Sequence, residues 1–488
     1  MKKLGRALLV LSAALAAGLA VVAAASGSQA QVTQKALAAP RPAGAPKNKN
    51  ALVEQVACVS AQNCAALGVW LYTDVAGKWK AGGVPVVAGT GGTNLRSLDC
   101  PVAGRCEAVG DGGLQHVVQA SENGRQWKGG EIELPSDAAP VKPSRGPLPS
   151  LDSVSCASAG NCFAVGGYTG ADRTLHPLLV AEHGGTWGAG TEPQLPPNAA
   201  TTYDPNQPGV GDTLSLVSCP SAGNCTAVGI YSNKSAGESD YPWVVTEKGG
   251  SWKPGSAAKL PAGASAGGDL TVGDSPFFGF TGLSCPSAGN CTAVGGYEDK
   301  QGSEEGLILR EKNGVWSRAT KAPLPRHAFP NSEPNAFTTP VASVSCVAAN
   351  DCAAVGWYVV HGSHTFRGLL LGERNGTWKA SGLVLPVGAR APGGVFLTSV
   401  ACPSRGNCVA VGYYAGQGKT HGLVVRERGG TWERAVNAAL PKGAAPASKA
   451  HTFLNSVSCP TASACTAGGY YSDQSGVIQG LLLNLRLR

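Results

Sequence analysis

The 488-residue sequence predicts an all-β protein: an eight-bladed β-propeller of four-stranded antiparallel blades, one hairpin disulfide in each blade, its ring closed by the N-terminal strand. Three observations predict it. The segment 217–231, VSCPSAGNCTAVGIY, returns in eight copies whose first cysteines stand 42 to 66 residues apart, a spacing that fits one blade with generous loops. A turn leading into Trp follows the copies in turn, at Trp79, Trp127, Trp187, Trp252, Trp316, Trp378 and Trp432, and six of these run on to a Leu-Pro pair. The two ends are also out of step, because the eighth copy stops at GLLLNLRLR with no Trp segment behind it, while residues 32–58 align with 432–459. A ring in which residues 32–39 supply the missing outer strand explains that offset, and an open solenoid does not.

Each copy divides into four strands. Strand a leads into the first Cys, strand b carries the second Cys and the AVGxY run, strand c is an apolar run such as GLLLGER from Gly368, and strand d begins at the Trp. The a–b turns read Pro-Ser-Ala-Gly-Asn or close to it, and the c–d turns read Asn-Gly or Gly-Gly, where positive φ costs little. Along strand b of the fourth copy, Cys225, Ala227 and Gly229 make one face and Thr226, Val228 and Ile230 the other; both are suited to burial between stacked blades.

All sixteen cysteines fall in C-x5-C hairpins: Cys58 and Cys64, Cys100 and Cys106, Cys156 and Cys162, Cys219 and Cys225, Cys285 and Cys291, Cys346 and Cys352, Cys402 and Cys408, and Cys459 and Cys465. Structural zinc is the rival reading, but it prefers tighter knuckles, and every pair would need a partner pair from another blade. Facing residues of an antiparallel hairpin stand at a separation that a disulfide can bridge, so eight intra-hairpin bonds are expected.

Residues 1–30 read as an export signal: Lys2, Lys3 and Arg6, an uncharged stretch from Ala7 to Ala25, and small residues around Ser28 and Ala30. The alternative is an uncleaved anchor, against which the Ala-rich, Gly-interrupted stretch and its small-x-Ala exit argue. Residues 31–488 are then one propeller domain, with 31–57 supplying the closing strand and its lead-in. The expected product is a secreted monomer with no membrane span after cleavage. Net charge falls from +8 to about +5 once the three signal cations go, and the remaining cations are scattered. A clustered basic stripe with interleaved aromatics is absent, which excludes nucleic acid as the expected partner.

In a propeller the b–c and d–a loops share one face, and the short a–b and c–d turns share the other. The uniform hairpins lie on the second face, and the variable loops on the first. Candidate ligand-binding residues are therefore Arg173, His176, His361, His364, Arg367 and His421. Phe277, Phe278, Phe280, Phe329, Phe337 and Phe396 are candidates for an aromatic platform. His361 and His364 have a spacing that could suit a metal, but no carboxylate or third ligand accompanies them, so neither metal nor cofactor is expected.

The c–d turn with its trailing Trp resembles the Asp-box hairpin of bacterial-neuraminidase repeats. The Gly, Thr and Trp of that pattern are matched at Gly185, Thr186 and Trp187, at Gly376, Thr377 and Trp378, and at Gly430, Thr431 and Trp432, whereas its Ser and Asp are mostly replaced. The overall pattern is also similar to secreted propeller-like proteins of actinobacteria. The resemblance implies the fold, and in that family the matched residues are structural. Two functions follow as expectations: a non-catalytic module binding an extracellular glycan, peptide or protein partner through the loop-bearing face, or alternatively a sialidase-like or other glycoside hydrolase. The hydrolase needs three converging arginines or two carboxylates at a set separation, and no motif places them.

Overall fold

In the computed structural model the chain forms eight antiparallel sheets, each with four strands in the order a-b-c-d, set as blades in a ring. The structure describes residues 32–488 except 84–86, 88–92, 114–115, 140–148, 201–210, 235–238, 266–276, 327, 329–340, 361–364, 417, 447–448 and 450. Blade 1 starts with strand a at Val53–Ser60 and blade 8 with Thr452–Thr461. Ring closure follows the expected route: Val32–Ala38 pairs antiparallel with the last strand, Ile478–Leu487, from Val32↔Leu487 to Ala38↔Leu481. All eight expected disulfides are formed within their hairpins, with Cα separations of 3.9 to 4.1 Å, and no cysteine is free.

Disulfides this local cannot hold one blade to the next, and three other devices do so. Apolar side chains of adjacent blades merge into shared cores. Between blades 6 and 7, Val355 and Leu370 meet Leu397, Leu423 and Val425, all at most 1% exposed. Around the inner strands, serines one and three residues before the first Cys of their hairpins accept hydrogen bonds from backbone N–H groups of the following blade. Val217 N donates to Ser153 Oγ at 3.2 Å and Cys219 N to Ser155 Oγ at 3.0 Å; Val457 N donates to Ser399 Oγ, and Cys58 N to Ser458 Oγ across the closure. Strand a is an edge strand, so these serines satisfy amides that no neighbouring strand would, at about 1 kcal/mol each.

The third device is an interruption of strand d. In blades 4, 5 and 7 the outer strand breaks into two short pieces, as in Ser251–Trp252 and Ser256–Ala257 of blade 4. Residues in the break turn outward and donate to the Leu-Pro segment of the preceding blade: Gly255 N to Gln194 O at 2.7 Å, Ala319 N to Lys259 O at 2.8 Å, Ala435 N to Val384 O at 2.9 Å. Gly190 N does the same to Glu133 O in blade 3. The residue before each of these Leu-Pro pairs is thus an inter-blade acceptor.

The glycine of AVG is required by close approach. Strand a carries a bulge opposite it, between Leu214 and Leu216 in blade 4, and a Cβ on Gly229 would stand 1.9 Å from Thr213 O. The equivalent distance in blade 3 is 1.8 Å, from Gly166 to Ser150 O.

Candidate functional site

The b–c and d–a connections open on one face, as expected, but the four candidate residues that the structure describes are spread over three blades. Arg173 and His176 belong to blade 3, Arg367 to blade 6 and His421 to blade 7, so the first and last stand on opposite sides of an eight-bladed ring. Arg173 is exposed, at φ 70° in the turn where its N–H bonds to Gly170 O. Arg367 is the second residue of strand c of blade 6, opposite Tyr358. His421 stacks on Tyr414, with centroids 4.7 Å apart at 24°, and burial, followed by the charges of Lys419 and His451, lowers its pKa. His361 and His364 lie outside the described residues, as do Phe329 and Phe337.

What the structure does assemble on this face is an arc of aromatic rings across blades 6, 7 and 8. Trp357 and Phe366 of blade 6 reach Phe396 of blade 7 at 5.4 and 5.3 Å between centroids. Phe396 stacks on its cross-strand partner Tyr413 at 5.2 Å and 27°. Tyr413 meets Phe453 of blade 8 at 4.4 Å, and Phe453 stacks on its own cross-strand partner Tyr470 at 4.7 Å and 23°. All six rings are half-buried. Five sit where strands a begin or strands b end and Phe366 where strand c of blade 6 begins, which places them at the inner part of the loop-bearing face. Of the two platform candidates whose side chains are described, Phe396 takes part and Phe280 is buried, at 7% exposure, in the core between blades 4 and 5. Trp357, Tyr413 and Tyr470 immediately precede the repeated Tyr of strand b, at a position filled by Gly167, Ile230 and Gly296 in blades 3, 4 and 5. That contrast was the signal available in the sequence.

A second polar group surrounds His176. The Tyr168 hydroxyl donates to Asp137 Oδ1 at 2.9 Å and also contacts Glu192 Oε1. His176 Nδ1 stands 3.1 Å from Glu192 Oε1, and its Nε2 stands 3.1 Å from Asp172 Oδ1. The Glu192 contact, helped by Asp172 against the opposing effect of burial, raises the imidazole to about 9, so it is an imidazolium at neutral pH. Glu192 is held below the usual carboxylate range by the same His176 contact. Asp137, His176 and Glu192 offer three ligand atoms within 4.8 Å of one another, a set that could take a metal ion only after displacing the imidazole proton.

These features define a class: a closed, disulfide-stapled propeller with an aromatic rim on its loop-bearing face. No family model matches the chain, and no curated protein matches it. Among solved structures, the chain is similar to a fucose-specific lectin from Aleuria aurantia at 11% identity and a TM-score of 0.32, over 70% of this chain and 97% of that one. It is similar to a neuraminidase-like protein from A/bat/Guatemala/164/2009 at 11% identity and a TM-score of 0.32, over 73% and 91%. A post-proline cleaving enzyme from Rickettsia typhi gives a TM-score of 0.43 at 8% identity, over 88% of this chain and 58% of that one.

Proposed function

We propose that the protein is a secreted, non-catalytic propeller that binds a carbohydrate through its loop-bearing face, with the aromatic arc of blades 6 to 8 as its platform. The observation that carries this reading is the arc itself. Six contiguous, half-buried rings are more apolar surface than inter-blade packing needs at a rim, because blades 3 to 5 are held together with glycine or isoleucine at the corresponding strand b position. Pyranose rings present an apolar C–H face and a polar hydroxyl edge, so they suit a surface that is aromatic along its floor and polar around it. Arg367 and His421, near the starts of their strands c, supply polar groups beside the arc at blades 6 and 7. Secretion is supported by the eight disulfides, which persist in an oxidising compartment, and by the charge and apolar pattern of residues 1–30.

The test is a panel of oligosaccharides and cell-wall polysaccharides against the purified protein, with isothermal titration of any hit. Trp357→Ala combined with Tyr413→Ala should weaken binding at least tenfold, at about 1.4 kcal/mol per factor of ten, while leaving disulfides and secondary structure intact. Absence of any carbohydrate ligand, or full affinity in the double variant, would overturn the reading.

A further inference from the structure

The opposite face repeats one arrangement at the junctions between blades. In seven c–d hairpins an acid faces the Trp: Asp74↔Trp79, Glu122↔Trp127, Glu182↔Trp187, Glu247↔Trp252, Glu311↔Trp316, Glu373↔Trp378 and Glu427↔Trp432. None of the seven acids is more than 5% exposed. A buried carboxylate needs a cation or donors, and the chain answers the need differently from junction to junction.

Between blades 5 and 6, Arg310 crosses the gap and sets Nη2 2.9 Å from Glu373 Oε1. Between blades 6 and 7, Arg374 sets Nη2 2.9 Å from Glu427 Oε1 and Nη1 2.6 Å from Asp351 Oδ1. Between blades 1 and 2, Thr73 Oγ1 donates to Glu122 Oε1 at 2.9 Å. The junction between blades 3 and 4 is different. Immediately before the hairpin acid, where blade 5 has Arg310, blade 3 has Ala181; immediately after it, where blade 6 has Arg374, blade 3 has His183. The space so left is a cleft of about 340 Å³, lined by Phe163, Leu179, Ala181 and His183 on one side and by Glu247 and Trp252 on the other. Glu247 is 3% exposed, and its Oε2 and the indole Nε1 of Trp252 have no hydrogen-bond partner. Phe163 holds Trp252 edge-on at 5.3 Å, and His183 stands edge-on to Phe163 at the exposed mouth.

We propose that this cleft is a binding site for a guanidinium group, the side chain of an arginine presented by a partner polypeptide. The arginine takes, between blades 3 and 4, the place that Arg310 and Arg374 hold from within the chain two and three junctions further round the ring. Its planar fork meets the unpaired Glu247 oxygen, and its face has the Trp252 and Phe163 rings to lie against. The site is on the face opposite the aromatic arc and takes a different ligand, so it stands or falls independently of carbohydrate binding.

The experiment is calorimetric titration of the intact protein with N-acetyl-arginine amide, beside the N-acetyl-lysine amide and N-acetyl-citrulline amide probes. Saturable one-to-one binding of the arginine probe is expected, with the neutral citrulline probe and the lysine probe each at least tenfold weaker. Glu247→Gln should lower arginine affinity at least tenfold. Ala181→Arg, which supplies the guanidinium from within, should block the probe and raise the melting temperature, so that loss of binding there cannot be laid to unfolding. No saturable binding of the arginine probe, equal binding of the citrulline probe, or full affinity in the Ala181→Arg protein would overturn the proposal. Equal binding of the lysine probe would overturn its guanidinium assignment.

Discussion

Glu107 gives a direct measure of what burial does to this fold. It lies in strand b of blade 2 (Arg105–Asp111), 7% exposed, and accepts from Ser121 Oγ at 2.6 Å and from Trp187 Nε1 of blade 3 at 3.2 Å. Burial, reinforced by the charge of Glu182, raises its pKa from 4.5 to about 7 in spite of those two hydrogen bonds. The unfolded chain releases this proton near the ordinary glutamate value and the folded protein only near 7, so over that window the folded state binds more protons and stability falls as pH rises. At about 1.4 kcal/mol per pH unit the whole window is worth about 3 kcal/mol, lost in full above about pH 7. Glu107→Gln keeps the shape and does not titrate. Between pH 5 and pH 8 the parent protein should therefore lose about 2–3 kcal/mol more than the variant. With an unfolding entropy of about 2.1 cal/mol/K per residue over roughly 450 residues, that is a difference of about 2–3 °C in melting temperature. Differential scanning calorimetry of both proteins at matched ionic strength reads it directly. Glu305, also raised to about 7 by burial beside Lys321, titrates in both proteins and cancels in the comparison. Parallel pH profiles for parent and variant would refute the reasoning.

Two further outcomes are expected. Deleting residues 31–40 removes the strand paired with Ile478–Leu487 and leaves an open edge, so the product should melt earlier and associate in sedimentation experiments; an unchanged melting temperature in a monomeric product would show that the strand is dispensable. Gly229→Ala forces a methyl group to within 1.9 Å of Thr213 O, so the bulge in strand a must shift, and urea unfolding should show a loss above about 2 kcal/mol, whereas a loss under about 0.5 kcal/mol would mean that the bulge adapts freely.

The repeats made the architecture legible because each blade must solve the same packing problem with the same short strands. The C-x5-C hairpins, the turn glycines and the displaced outer strand each carried their physical reason in their spacing, and the structure has all three. The interruption of strand d was only partly legible: blades 5 and 7 share Trp-x-Arg-Ala, but blade 4 reads Trp-Lys-Pro-Gly, and what all three share is a carbonyl on the neighbouring blade. The serines of V-S-C were visible as a repeat, but their partners are amides 57 to 67 residues away along the chain, and 400 residues away at the ring closure. The aromatic arc was hidden for the same reason. Its rings come from three repeats, and only stacking of the blades brings Trp357 to Phe396 and Tyr413 to Phe453. Single-residue reasoning favoured histidines and arginines on loop tips, which the ring then distributed among blades 3, 6 and 7.

The strand that closes the ring also sets how the molecule bears load. Val32 faces Leu487 in the antiparallel pair, so the outer ends of both strands leave the sheet side by side at the same corner. A force drawing those ends apart acts along the inter-strand hydrogen bonds and opens them one after another, beginning at Val32↔Leu487, instead of loading the whole seven-residue pair in shear. The far end of the strand is better secured: Arg41, just beyond it, holds Gln479 Oε1 at 2.8 Å, lies 5.5 Å over the Trp70 ring, and bonds to Pro46 O and Lys49 O. Tethered through one end, the protein keeps this seam unstressed. Tethered through both, it unzips from its weakest corner towards an arginine anchor.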